Sequence, residues 1–313
     1  MKSSLPKAVA LGGGHGLAAS LQALRQVTDQ LTAIVTVADD GGSSGRLRAE
    51  LGGLPPGDLR MAMAALAGDS ARGRNWSRLL QERFHGDGPL AGHAVGNLLI
   101  EAAWQDRDFV VGLDTLGWLL ELEGRVLPMS SVPLQIEADV LGLDAADSQA
   151  ATIVRGQHEV GVTKGTVTAV RLLPDQPPAC REAVAAVRDA DFVLLGPGSW
   201  FTSVIPHLLV PGLAEAIINS QAKKILNLNV VSAHETEGFS PGKHIQLIRQ
   251  HAPGLRLDYV LADESFGAGD HELRELVEEC GAQLVVADVR MHDGTARHDP
   301  LRLASLFREL MIG

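Results

Sequence analysis

Three glycine-rich stretches of this 313-residue chain carry residue types spaced for ligand chemistry. The first is Gly12-Gly13-Gly14-His15-Gly16-Leu17, where the apolar run 8–11 breaks into glycines and Leu17, Leu21, Leu24 and Val27 then recur at helical spacing. A strand that turns into a helix gathers unpaired backbone N–H groups and the positive end of the helix dipole at one point, and glycines let an anion approach that backbone closely. Gly14, Gly16 and Ala19 also fit the G-x-G-x-x-A form of a dinucleotide fingerprint. These residues point to phosphate or nucleotide binding, with glycines that only permit tight packing as the alternative.

The second stretch, Asp39-Asp40-Gly41-Gly42-Ser43-Ser44-Gly45-Arg46, follows the β-branched run 31–37. Adjacent carboxylates repel unless they are used: they can coordinate Mg²⁺, accept hydrogen bonds from ribose or base donors, or cap the next helix. Ser43, Ser44 and Arg46 supply hydroxyl and guanidinium donors of the kind that hold phosphates. The third, Gly196-Pro197-Gly198-Ser199, ends the apolar run 192–195 and leads to Thr202 and Ser203, whose hydroxyls can cap a helix or bond a phosphate. Two further clusters sit between them: Asp58 with Arg60, and Gly92-His93-Ala94-Val95-Gly96-Asn97, which brings His93 and Asn97 to a helix start. His85, His292 and His298 fit no zinc pattern and read as surface or loop residues. No GxxxxGK[ST] loop occurs, which disfavours a P-loop NTPase.

Elements that position these residues can be read from periodicity. The first 37 residues form a strand, helix, strand unit, whose two parallel strands imply a right-handed crossover and ligand binding beyond their carboxyl ends. Residues 58–66, 76–84, 95–104 and 109–122 repeat at helical spacing. Alternation over 132–140 and 166–172 marks a β-rich elaboration at about 125–173. Apolar runs at 192–195, 224–228, 259–261 and 284–286 then read as buried strands with helices between them, and 300–311 as a closing helix. The pattern predicts a Rossmann-like three-layer α/β/α sandwich with a mainly parallel sheet, organised as one domain over 1–313.

Composition bounds the partners. Lys and Arg total 27 against 38 Asp and Glu, a net charge of −11 without a basic run, which argues against general nucleic-acid or anionic-membrane binding. Two cysteines, Cys180 and Cys280, form no disulfide framework and read as reduced thiols. No apolar run approaches the ~18 residues of a membrane span, and residues 1–10 lack the apolar stretch of a signal peptide, so a cytoplasmic protein without membrane insertion is expected.

Taken together, the Gly12 to Leu17 turn, the Ala38 to Arg46 stretch, Pro55 to Arg60, Gly92 to Asn97 and Gly196 to Ser203 resemble the gluconeogenesis factor YvcK family, which groups with the 2-phospho-L-lactate transferases (CofD). The resemblance spans nearly the whole chain, and Ala-Asp-Asp-Gly-Gly-Ser-Ser-Gly-Arg is its most specific part. It implies a cytoplasmic regulator that binds the nucleotide-sugar UDP-N-acetylglucosamine, links gluconeogenic carbon use to cell-wall precursor supply and cell shape, and needs no obligatory cofactor. Protein partners in cell-envelope control and a homo-oligomer fit the same picture. The transferase branch implies an alternative, Mg²⁺-assisted transfer of a phospholactyl group to a deazaflavin alcohol; NAD binding through Gly14, Gly16 and Ala19 is a second. Carried over by motif, Gly12, Gly13, Gly14, His15 and Gly16 and the turn Gly196, Pro197, Gly198 and Ser199 cradle the diphosphate. Asp39 and Asp40 handle metal or acceptor, and with His93 they are the candidates for catalysis. Asn97, Thr202 and Asn229 line the nucleotide and sugar pocket, with Ser43, Ser44, Arg46, Asp58 and Arg60 as further ligand-binding candidates. The chain departs from the family pattern at His15, Ala94, Trp200-Phe201 and 230–236, where Ala233 precedes His234-Glu235-Thr236.

Overall fold

The computed structural model describes residues 5–105, 107–144, 147–232 and 234–313. Part of the amino-terminal stretch read for targeting, Met1 to Ser4, lies outside the described residues, as does Ala233. The chain starts as the sequence pattern implies: β1 (Ala8–Gly12), α1 (Gly14–Leu24) and β2 (Leu31–Val35) make the first unit. Five helices follow, α2 (Gly42–Leu51), α3 (Gly57–Leu66), α4 (Ala71–Gln81), α5 (Val95–Trp104) and α6 (Phe109–Leu120), before β3 (Arg125–Pro128). A small β-rich segment holds β4 (Gln135–Leu141), β5 (Thr152–Arg155), α7 (Gln157–Gly161) and β6 (Thr166–Leu173). Then α8 (Arg181–Asp189), β7 (Phe192–Leu195), α9 (Pro211–Asn219), β8 (Lys223–Asn227), α10 (Pro241–His251) and β9 (Tyr259–Asp263) alternate. The short α11 (Glu264–Gly267), α12 (His271–Glu279), β10 (Gln283–Ala287) and α13 (Pro300–Ile312) close the chain.

Seven strands form one sheet in the order β10-β9-β8-β7-β1-β2-β3, every neighbouring pair parallel. Parallel strands are covered on both faces, which is why β1 and β7 read as near-continuous apolar runs rather than alternating ones. From β1 the order runs outward through β2 and β3; from β7 it runs the opposite way. Right-handed crossovers therefore put α1 on one face and α9, α10 and α12 on the other. The chain order reverses between β1 and β7, and crevices beyond strand carboxyl ends open at such a reversal. Packing of α1 against α3 and α13 closes the first layer, and α8 with α9 and α10 with α12 build the opposite one. Trp200, Phe201 and Phe307 are the bulkiest fully buried side chains.

Two boundaries differ from the sequence reading. The helix placed at 76–84 is Ala71–Gln81, because Ser70 accepts from the Gly73 amide at 3.0 Å and starts it earlier on a polar, exposed first turn. Within 125–173, β3 belongs to the large sheet, and the elaboration proper is the antiparallel sheet β5-β4-β6. Both cysteines are free. No single helix among the described residues is long and apolar enough to cross a membrane; Trp200–Leu209 and Pro211–Asn219 reach that composition only as a pair bent by 81°.

Candidate functional site

At the reversal, the turns after β1 and β7 lie side by side above one cleft of about 930 Å³. Gly13 caps α1 in extended conformation and Gly14 takes a φ of +58°, a left-handed backbone that favours glycine and swings the first helical turn toward the cleft. Gly16 permits the close approach of the two turns: a Cβ there would run into the Pro197 carbonyl and come within 2.9 Å of the Gly198 Cα. The first amides of a helix have no intrahelical acceptors. Asp58 takes that of Gly14, which leaves those of His15 and Gly16 as anion donors at the positive end of the α1 dipole.

The second turn is fixed from outside. Gly198 donates its N–H to Asn229 Oδ1 and accepts from Asn229 Nδ2, both at 2.9 Å. Asn229 lines the cleft, yet its amide is spent on holding Gly198 in place. Thr202 Oγ1 donates to Ser199 Oγ, which donates to Glu235 Oε1. Glu235 is buried, so this chain of hydroxyls ends on a carboxylate beneath the turn.

Asp58, at the first turn of α3, is the acid most altered by its surroundings. Burial, then the charge of Asp39, push its carboxyl up to about 7, against the pull of the Gly14 amide and Arg60. Its Oδ2 is buried and unpartnered. Asp58 and Arg60 share the cleft wall without forming an ion pair. His15 is held below the usual histidine range by burial, then by Arg297 and Arg60, so it stands neutral at pH 7.

The Asp39-Asp40 stretch is divided. Asp39 Oδ1 accepts from the Gly41 amide at 2.9 Å, and its Oδ2 faces Gly57 at the start of α3. Asp40 turns the other way and caps α7, accepting the His158 amide at 3.1 Å. The two carboxylates therefore do not converge on one ion. Asp39 and Asp58 are the pair close enough to repel, and the orphaned Asp58 Oδ2 fits a site for Mg²⁺, which takes one or two carboxylates and completes its shell with phosphate oxygens and water. Among the described residues no group of three His, Cys, Asp or Glu side chains gathers as a self-sufficient metal site.

Of the residues singled out in the sequence, Gly13, Gly14, His15, Gly16, Asp58, Arg60, Pro197, Gly198, Ser199, Thr202 and Asn229 line the cleft. Gly12 packs under Leu17, and Gly196, with φ +71°, turns the chain below it. Ser43 Oγ lies 2.9 Å from His93 Nδ1 and accepts from Asn97 Nδ2 at 2.9 Å, a buried polar knot that ties α2 to α5 away from the cleft. Burial, then Arg46, lowers the His93 imidazole below its usual range. Ser44 is buried against Gly57, and Arg46 donates to the Ala91 carbonyl at 2.7 Å. These residues shape the Asp39 loop; they do not line the cleft.

Sequence reasoning missed residues that arrive from far along the chain. The loop after β10 folds over the cleft and contributes Met291, Asp293, Arg297 and His298, while Gln157 comes from α7. His298, read as a surface or loop histidine, is buried; burial pushes its imidazole down to about 4 even though the Leu228 carbonyl and Asp263 oppose it, and Nε2 is unpartnered. His85 and His292 are exposed as expected. Only Glu235 left a local signal, its place six residues after Asn229.

A doubly wound parallel sheet with paired glycine turns at its switch point defines a Rossmann-like α/β protein. Residues 8–299 match the family described as 2-phospho-L-lactate transferase CofD. The "Putative gluconeogenesis factor" of Mycobacterium tuberculosis H37Rv is 52% identical over 303 residues, covering 95% of this chain and 88% of that protein. The gluconeogenesis factor of Listeria innocua is 35% identical over 311 residues, 95% and 93% of the two chains. A crystal structure of a UPF0052-family protein from Bacillus halodurans superposes with a TM-score of 0.84 at 32% identity, over 98% of this chain and 99% of the other. The chain belongs to the gluconeogenesis factor (YvcK) family of CofD-like proteins.

Proposed function

We propose that this protein is a cytoplasmic nucleotide-sugar-binding regulator whose ligand is UDP-N-acetylglucosamine, and that it couples gluconeogenic carbon use to the supply of cell-wall precursors and to cell shape. The observation that carries the reading is the pair of adjoining turns: the free amides of His15 and Gly16 and the pinned Gly198-Ser199 turn border the same cleft. That cleft, about 930 Å³, is at the upper end of the size range of small-molecule sites and suits an extended ligand with a central diphosphate. Neutral His298 offers an unpartnered Nε2 to a hydroxyl or amide donor of the nucleoside or sugar. Calorimetric titration with UDP-N-acetylglucosamine, UDP-glucose, NAD and GDP tests it: UDP-sugars bind first in rank, and no heat from either at millimolar concentration, with tight binding of another nucleotide, rejects it.

The Asp39 and Asp58 pair supports a second reading, a transferase of phosphorus-containing groups. Mg²⁺ held there would neutralise charge developing on a diphosphate leaving group. On this chain the His15 and Gly16 amides would stabilise the same charge. Incubation with an activated phospholactate and a deazaflavin alcohol yields a mass-shifted product under this reading, lost in Asp39→Asn; no product at any Mg²⁺ concentration removes it.

A further inference from the structure

Part of the cleft wall is made by α3 and by α4 with the residues just after it, and two arginines stand there, Arg60 and Arg83. Arg60 keeps 5% of its surface exposed. Its stem lies over α5 at Gly96, where a Cβ would come within 2.7 Å of Arg60 Cγ, so the guanidinium is fixed by packing. Arg60 Nη1 donates to Gln81 Oε1, and Arg83 Nη1 donates to the Gly92 carbonyl at 2.7 Å; both acceptors are neutral. Arg60 Nε is buried and unpartnered. Among the described residues neither guanidinium forms an ion pair. The other deeply buried guanidinium, that of Arg25, with 8% of its side chain exposed, is held by both Asp69 and Glu123.

A buried cation without a partner is destabilising unless something anionic joins it. Arg60 and Arg83 stand on one wall of the cleft, close enough for their charges to repel. Asp58, the acid that shares their wall, forms no ion pair with either guanidinium. The opening that remains faces the ligand space.

We infer that Arg60 and Arg83 form a subsite for a second anionic group, a carboxylate or phosphate that the ligand carries beyond its diphosphate. The inference rests on the nucleotide-sugar reading and extends it: beside UDP-N-acetylglucosamine the cleft accepts a nucleotide sugar whose sugar end is itself anionic, and holds it more tightly than the neutral counterpart. Arg60, planar and locked, supplies a fork for two oxygens, and the exposed Arg83 adds charge that attracts the group and closes on it.

Two ligand pairs differ by one carboxylate each: UDP-glucose against UDP-glucuronate, and UDP-N-acetylglucosamine against UDP-N-acetylmuramate, which adds a lactyl group. Calorimetry on the full chain is expected to give at least tenfold tighter binding of the acidic member in one pair or both, and Arg83→Gln is expected to shrink that ratio below threefold. Equal affinities within both pairs overturn the inference, as does a preference that survives in Arg83→Gln. If no UDP-sugar binds, the nucleotide-sugar reading fails, and the subsite is judged by inorganic phosphate. At matched ionic strength, phosphate should then raise the melting temperature of the wild type more than that of Arg83→Gln, and equal shifts overturn it.

Discussion

Replacing Asp58 by Asn tests the electrostatics of the cleft at its most charged point. Asn keeps the shape and an acceptor for the Gly14 amide but cannot ionise. In the wild type the carboxyl titrates near 7, raised by burial and then by Asp39. Asp58 accepts from the Gly14 amide, the neighbour of the His15 and Gly16 amides, and a unit charge about 5 Å from an ionised carboxylate is repelled by about 3 kcal/mol at an effective dielectric of ~20. The repulsion exists only when Asp58 is ionised. Anion affinity is therefore greatest below pH 7 and falls as pH rises; between pH 6 and 8.5 the loss is on the order of 20-fold, because binding also raises the carboxyl further. Stability moves in the same direction. A carboxyl raised from an unfolded value of ~3.9 favours the folded state fully below that value, and the benefit is lost as pH climbs through 7. The assay is calorimetric titration of UDP-N-acetylglucosamine, whose diphosphate charge is constant across this window, in EDTA at fixed ionic strength. Asp58→Asn should hold one affinity, within about threefold, from pH 6 to 8.5 and match the wild type at pH 6. A wild type without slope, or a variant that retains it, refutes the reasoning.

Glu101 is raised to about 7 by burial, with Oε1 unpartnered. Glu101→Gln should therefore add up to about 3 kcal/mol in urea unfolding at pH 8 and nothing below pH 4.5; equal gains at both pH values would exclude ionisation as the cause. Gly16→Ala forces a Cβ onto the Pro197 carbonyl, and thermal melts and titration should show a loss of about 2–4 kcal/mol with at least tenfold weaker UDP-sugar binding. An unchanged melt would mean that the two turns are not in contact. Asp40→Ala removes the carboxylate that accepts the His158 amide, so hydrogen exchange at residues 156–162 should accelerate with a stability loss of about 1–2 kcal/mol. Unaltered protection there would return Asp40 to the ligand-handling role.

The legible parts of this protein were those set by short-range rules. The strands Phe192–Leu195 and Tyr259–Asp263 stood out because burial on both faces demands apolar runs, and the turns at Gly12 to Gly16 and Gly196 to Ser199 because a backbone at φ +58° or +71° favours glycine. Their meeting at one cleft followed from parallel topology. Side-chain direction was not legible. Asp39 and Asp40 are neighbours in sequence, yet the second is claimed by α7, more than a hundred residues on, and the first works beside Asp58. Arg297 and His298 arrive through a loop that closes over the cleft only once β10 has joined the sheet edge, and nothing in their local spacing announces it. Asn97 and His93 look like ligands in sequence because glycines flank them; Gly96 is instead there to clear the stem of Arg60.

The account stands on a diphosphate lying between the two glycine turns, and a crystal structure of the protein grown with UDP-N-acetylglucosamine measures that position directly. The expected result is a diphosphate within hydrogen-bond distance of the His15 and Gly16 amides and the Gly198-Ser199 turn, with the sugar toward Arg60. A diphosphate bound elsewhere on the molecule, or a cleft without ligand at saturating concentration, would contradict it.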